Sequence, residues 1–269
     1  MNRAAFYAAL RRRSSGVFGT SLSQQQVRGT EGILDAFATH GDGRVKTLAY
    51  ALATAYHETG RKMVPVREGF RKTDAAARRY VQKHYGHKGK NWYCWPAGPH
   101  GHVYYGRGQV QLTWLDNYRN SSDEAGVDLV KHPDRALDPV VGARILICGL
   151  LDGRWNKGGI GPGIAHYLPS GGKDDLRNAR RTVNITDKWQ AIAGYYKAFL
   201  DAIEEAGGVP KDSLDPVPVP KPKPEPRPAE RDTPLARTAD DGKSVSPTSG
   251  SGTLAALIRL LTSIFKGKS

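Results

Sequence analysis

The sequence predicts a mainly α-helical lobe with a small β-hairpin region, followed by a linker and a short terminal helix. In residues 48–55 and 188–205, apolar side chains recur every three or four residues, which indicates buried helices. Residues 140–151 are almost wholly apolar and are predicted to be a core helix. The glycine-rich residues 104–114 are predicted to form the hairpin, because glycine permits close backbone approach.

The composition allows one large domain with appendages. The chain has 269 residues, 39% of them hydrophobic, and a formal net charge of +14. Such a charge predicts an anionic partner: nucleic acid, a membrane surface, or an anionic polymer such as bacterial cell wall. Cys94 and Cys148 provide no disulfide framework, so the protein is expected to fold in a reducing cytoplasm.

The first helices have recognisable start and stop signals. Residues 2–13 are predicted to form an amphipathic helix rather than an export signal, because their apolar run is short and arginines follow it. Ser23 and Gln26 have the spacing of a capping box, which begins a helix ending at residue 37 or 38. A charged helix is predicted at residues 74–84.

Two glutamates are candidate catalytic residues. The helix of residues 48–55 places His57 and Glu58 at its C-terminal end, where the helix dipole disfavours an anion, and Gly60 stops it. Glu68 follows ten positions later, and the adjacent Arg67 is expected to favour its ionised form. One neutral and one charged carboxyl is the division of labour of glycoside hydrolysis. The alternative is a non-catalytic Glu58 that pairs with a nearby arginine or lysine.

Polar side chains alternate in the glycine-rich segment. Gln109, Gln111 and Thr113 would share one face of an extended chain that has aromatic residues at both ends. Amides and hydroxyls can bind sugar substituents, while aromatic faces can bind the C–H side of a ring. The alternative is a glycine-rich hairpin with solvated glutamines.

Residues 71–103 contain a long loop with two possible uses. A zinc site is conceivable because histidines and a cysteine cluster here, namely His84, His87, Cys94, His100 and His102. The alternative is a loop whose histidines make ordinary hydrogen bonds. Trp92, Tyr93 and Trp95 are expected to form a sugar platform or to pack on a groove wall.

A set of motifs resembles glycoside hydrolase family 19. They are His57-Glu58-Thr59, Glu68, Tyr105-Gly106-Arg107-Gly108-Gln109-Val110-Gln111-Leu112-Thr113, Asn117-Tyr118, residues 132–139 and Arg180-Arg181-Thr182-Val183-Asn184. Within the family the chain most resembles the lysozyme-type endolysins of bacteriophages rather than the plant chitinases, which carry several disulfide-forming cysteines. The resemblance covers roughly residues 1–206.

The resemblance implies roles for particular residues. Glu58 would be the general acid, Glu68 the general base, and Thr113 would help to hold the attacking water. Family members are inverting, so the two carboxyls would lie about 6.5–9.5 Å apart. The predicted sugar-binding residues are His57, Tyr105, Gln109, Gln111, Asn117 and Asn184. No cofactor or metal is implied.

The predicted domain organisation has three parts. A catalytic domain of residues 1–208 is followed by a proline-rich flexible linker, 209–252, and a basic amphipathic helix, 253–269. That helix is too short to span a bilayer and is expected to lie in an anionic membrane interface or contact lipopolysaccharide. The alternative is a helix that docks on the domain or self-associates.

The expected function is that of a monomeric endolysin that hydrolyses β-1,4 bonds of peptidoglycan and binds no nucleic acid. With no convincing signal peptide, it would stay in the host cytoplasm until the membrane opens, then reach the periplasm and cell wall. The alternatives are a chitinase and a non-catalytic cell-wall-binding protein.

Overall fold

The fold is mainly α-helical, as predicted. The computed structural model describes residues 1–211, so the predicted tail helix and nearly all of the predicted linker lie outside the described residues. The α-helices of this part are α1 Arg3–Leu10, α2 Gln24–His40, α3 Val45–Glu58, α4 Asp74–Tyr85, α5 Leu115–Asn120, α6 Ser122–Ala125, α7 Pro139–Asp152, α8 Ile164–Tyr167, α9 Leu176–Ala179 and α10 Trp189–Glu205. Strands β1, Val66–Arg67, and β2, Arg107–Gly108, are short.

Helix α3 lies at the centre of the core. Every residue from Thr47 to Tyr56 is buried, which is expected of a helix that is apolar on all sides. Its most extensive contact is with α10, which also packs against α1, while α2 packs against α7. The C-terminal end of α3 is therefore fixed in position, and that end carries Glu58.

The helix ends agree with the signals in the sequence. Ser23 Oγ accepts a hydrogen bond from Gln26 N at 3.2 Å, and Gln26 Oε1 accepts one from Ser23 N at 2.8 Å, so the predicted capping box is present. Gly60 follows α3 in the left-handed region, with φ of 57°. Helix α1 is shorter than predicted, because Arg12 is extended and a separate 3-10 turn follows it.

The strands pair across a long stretch of chain. β1 and β2 are antiparallel, with Val66 opposite Gly108 and Arg67 opposite Arg107. A bridge between Arg107 and Leu112 then closes a tight turn after β2. The β region therefore joins the segment of Glu68 to the glycine-rich segment.

Of the helices in residues 1–211, none has the length and apolar character needed to cross a membrane.

Replacing Ser23 by alanine is expected to lower the free energy of unfolding by about 1 kcal/mol, because the N-cap of α2 loses its side-chain acceptor. Urea unfolding followed by circular dichroism measures the change. Ser21→Ala, at an exposed site two residues away, is the control. Equal destabilisation by both substitutions would contradict the capping role.

Candidate active site

Glu58 is held by a buried arginine from a distant part of the chain. Arg180 Nη2 lies 2.7 Å from Glu58 Oε1, and the arginine side chain is only 2% exposed. Arg180 Nε also donates to the backbone oxygen of Asp187 at 3.0 Å. The carboxyl of Glu58 thus has a defined position at the end of α3. Its partner is therefore not one of the arginines and lysines that are close to it in sequence.

Glu68 is held by the segment that precedes β2. Its Oε2 accepts a hydrogen bond from Gly106 N at 2.8 Å, and its Oε1 accepts one from Tyr93 OH at 2.8 Å. The backbone N–H of Glu68 donates in return to Gly106 O at 2.7 Å. Burial raises the pKa of Glu68, while these hydrogen bonds and the charge of Arg107 act in the opposite direction.

The predicted effect of Arg67 on Glu68 is wrong. Arg67 Nη2 pairs with Asp134 Oδ2 at 2.7 Å and points away from the acid beside it. Neighbours along an extended chain project to opposite sides, so adjacency in sequence does not bring these side chains together. The raised pKa of Glu68 also differs from the expectation that Arg67 keeps it charged.

Arg107 fixes the backbone that binds Glu68. Its guanidinium is 2% exposed and lies 2.7 Å from Asp134 and 3.2 Å from Asp74. It also donates to Tyr118 OH at 3.1 Å. Since Gly106 immediately precedes Arg107, these contacts set the direction of the N–H group that Glu68 accepts.

Aromatic side chains pack against the ring of Tyr93, whose hydroxyl reaches Glu68. The ring of Tyr93 lies 5.3 Å from Trp114 and 6.1 Å from Trp92, and the two tryptophans are 5.1 Å apart. The edge-to-face contacts with Trp114 stabilise the loop. The two predicted uses of this loop, as a sugar platform and as packing on a groove wall, both stay predictions.

A family match covers the segment containing both acids. Residues 26–159, about half of the chain, match the family model described as chitinase class I, glycoside hydrolase family 19. The chain carries a glycoside hydrolase family 19 domain. The match includes Glu58, Glu68 and the glycine-rich segment, while Arg180 lies beyond it.

Chitinases are among the similar proteins. Chitinase 11 of Oryza sativa is 32% identical over 120 residues, covering 36% of this chain and 45% of the relative. An endochitinase of Solanum tuberosum is 29% identical over 143 residues, covering 45% and 40%. The chain therefore spans less than half of the length of these relatives. Chitinase C of Streptomyces griseus is a similar solved structure, 24% identical with a TM-score of 0.41, covering 77% of this chain and 92% of that one.

Gln111 lies beside Glu68 in the family 19 domain. A Cβ atom on Gly106 would meet Gln111 Oε1 at 2.8 Å and Glu68 Oε2 at 3.2 Å, which places all three groups together. Gln111 Nε2 donates to the backbone oxygens of Val66 and Gly108 at 2.9 and 3.3 Å. Its amide therefore connects the two strands next to the acid.

The predicted groove positions of Gln109 and Tyr105 are wrong. Gln109 is 1% exposed and packs on α7, and Tyr105 is fully buried with its hydroxyl bonded to Asp74 at 2.8 Å. The expected alternation fails because the backbone turns at Gly108 and Gln111, whose φ angles are 84° and 54°. Both side chains serve packing.

The other predicted groove residues are partly exposed. His57 lies 6.4 Å from the ring of Tyr195, and burial lowers its pKa. Asn184 N donates to Arg180 O at 2.8 Å, so Asn184 lies next to the residue that holds Glu58. Thr113 precedes Trp114, the N-cap residue of α5, and Asn117 lies in the first turn of that helix. Their contacts with sugar and water stay predictions.

The side chains suggested for a zinc site do not form a set of metal ligands in the described part of the chain. No three histidine, cysteine, aspartate or glutamate side chains of residues 1–211 are arranged to hold a metal ion. His84 Nδ1 is 2.8 Å from Tyr80 O, and His102 Nε2 is 3.0 Å from Lys131 O. Cys94 is fully buried. His84 and His102 therefore each have a ring nitrogen at a backbone oxygen, His84 within α4 and His102 in the loop.

Three supporting residues had no recognisable signal of their own in the sequence. Arg107 and Arg180 are in motifs that resemble the family, but nothing local indicates that they are buried or which acids they contact. The hydroxyl of Tyr93 could not be assigned to Glu68, because a long loop separates them in sequence.

Arg107→Met is expected to lower the free energy of unfolding by about 3 kcal/mol, because Asp74 and Asp134 lose a buried cationic partner. This loss is at the low end of the range for a broken buried ion pair, because both carboxylates are nearly half exposed. Chemical denaturation measures it. Arg119→Met, which removes an exposed ion pair with Asp116, should cost about 0–1 kcal/mol. A similar loss in both variants would contradict the role of burial.

Tyr93→Phe is expected to raise the pKa of Glu68 further, because the hydroxyl that stabilises the carboxylate is lost. Titration of the Glu68 side-chain carbon by NMR measures the shift. Tyr80→Phe is the control, since the Tyr80 ring packs on Gly69 beside the acid. An unchanged pKa in the Tyr93 variant would show that the hydrogen bond does not stabilise the anion.

Proposed function

We propose that the family 19 domain is a glycosidase that hydrolyses β-1,4 bonds between N-acetylglucosamine units, with chitin as the first candidate substrate. The observation that carries the proposal is the pair of acids, each held by a dedicated partner: Arg180 for Glu58, and Gly106 with Tyr93 for Glu68. The family match over residues 26–159 and the chitinase names of the relatives support this choice of substrate.

In the proposed reaction Glu58 protonates the leaving glycosidic oxygen, and Glu68 takes a proton from the attacking water. Water attacks the anomeric carbon from the face opposite the leaving group, so the configuration is inverted. A carboxylate can accept about four hydrogen bonds, so Glu68 can accept one from water while Tyr93 and Gly106 remain in place. Its raised pKa makes it a stronger base than an ordinary glutamate.

Peptidoglycan is the second candidate substrate. Its support is the charge, 40 lysines and arginines against 26 aspartates and glutamates, since peptidoglycan carries acidic groups and chitin is neutral. The resemblance to lysozyme-type endolysins also favours peptidoglycan as the substrate. The expected release to the cell wall and the expected membrane contact of residues 253–269 favour it as well.

Glu58→Gln and Glu68→Gln are each expected to lower kcat by about 10²–10⁴-fold on the substrate that wild type cleaves. Reducing-end release from chitin oligosaccharides and from purified peptidoglycan is measured in parallel. Glu204→Gln, at an exposed site on α10, is the control. Full activity in both variants would overturn the assignment of the two acids, and a wild type that releases no reducing ends from either polymer would favour a non-catalytic wall-binding protein.

The two roles can be separated with an aryl oligosaccharide. A good leaving group needs no protonation, so Glu58→Gln should retain much of its activity on this substrate, while Glu68→Gln should not. Added azide should restore turnover only in Glu68→Gln, by replacing the activated water, and should give a glycosyl azide of inverted configuration. The opposite pattern would exchange the roles of the two acids.

A further inference from the structure

A cleft lies between α4 and the 3-10 turn Pro133–Leu137. Its volume is about 490 Å³. The charged and titratable side chains on its walls are Arg78, Arg107, Lys131, Arg135, His102 and His132, together with Asp74 and Asp134. No step of the proposed hydrolysis uses this cleft.

The cleft and Glu68 are on opposite sides of the segment before β2. A side chain at position 106 would point at Glu68, because a Cβ on Gly106 would lie 3.2 Å from Glu68 Oε2. The side chains on either side of it, Tyr105 and Arg107, both reach Asp74 at the cleft wall. Successive residues of an extended chain face opposite ways, so this segment separates the two sites.

Both carboxylates of the cleft already have partners within the protein. Asp74 Oδ1 accepts from Tyr105 and Arg107, and its Oδ2 pairs with Arg78 at 3.3 Å. Asp134 accepts from Arg107 and Arg67, and both arginines lower its pKa despite its burial. Its carboxylate is thus held in the charged form, with both oxygens paired to arginines.

The cations of the cleft are in excess. Four of them line it, Arg78, Arg107, Lys131 and Arg135, against two carboxylates. Lys131 and Arg135 are exposed, and within residues 1–211 neither has an acidic side chain within 4.0 Å. Their donors face a concave surface that has a buried guanidinium behind it.

We propose that this cleft is an anion-binding site that takes a carboxylate or phosphate group, with Lys131 and Arg135 as its charged contacts. Lysine and arginine are the usual partners of such groups, and arginine can bind them with two parallel hydrogen bonds. Two sources have this chemistry: an acidic substituent on a glycan chain, which rests on the proposed function, and free phosphate, which does not.

Inorganic phosphate is the first probe, added to the full chain and followed by NMR and calorimetry. Saturable binding is expected, and Lys131→Ala/Arg135→Ala should weaken it at least about tenfold, which corresponds to about 1.4 kcal/mol. Lys83→Ala/Lys88→Ala, which removes two cations at the end of α4 and in the turn after it, should bind as wild type does. Absence of saturable binding, or equal weakening in both double variants, would overturn the proposal.

A pair of polymers distinguishes the sources. If the anion is carried by the glycan, Lys131→Ala/Arg135→Ala should raise KM on carboxymethyl chitin and leave KM on neutral glycol chitin unchanged. If the double variant keeps the wild-type KM on both polymers but no longer binds phosphate, the cleft is assigned to free phosphate. Wild type that cleaves neither polymer contradicts the glycosidase proposal alone, since phosphate binding is measured without catalysis.

Discussion

The buried guanidinium of Arg107 is the interaction on which the candidate site depends. A charge that is 2% exposed is tolerated only when it is paired and hydrogen-bonded, and here Asp134, Asp74 and Tyr118 supply the partners. These contacts tie β2 to α4 and to the 3-10 turn Pro133–Leu137. The segment that these contacts hold also presents the Gly106 N–H to Glu68, so a requirement of stability fixes a feature of the site.

Arg180 supports Glu58 as Arg107 supports the surroundings of Glu68. It is equally buried, it lies 2.7 Å from Glu58, and its backbone oxygen accepts from Asn184. Each glutamate is thus positioned by a group from a different part of the chain, while the buried helix α3 and the β1–β2 pair supply the frame. Fixed positions of this kind suit catalysis, because the reacting groups are already oriented.

The parts of the fold that were predictable are those decided locally. The apolar run of α3, the Ser23 capping box and the glycine after Glu58 act within one or two helical turns, so the sequence shows them directly. The failures have two causes, a long-range ion pair and local turns of the backbone. Arg67 was expected at Glu68 and binds Asp134 instead, and the glutamine alternation was interrupted where the backbone turns at Gly108 and Gln111.

The sequence alone determined that the protein is mainly helical, that Glu58 ends a buried helix, and that Glu68 and the glycine-rich segment carry the motifs of a family. Tertiary structure alone decided which charges meet, namely Arg180 with Glu58 and Arg107 with Asp74 and Asp134. It also decided that Gln109 is buried while Gln111 lies at Glu68. The reason is physical: periodicity and caps are short-range properties of one segment, whereas ion pairing and burial depend on which segments the folded core brings together.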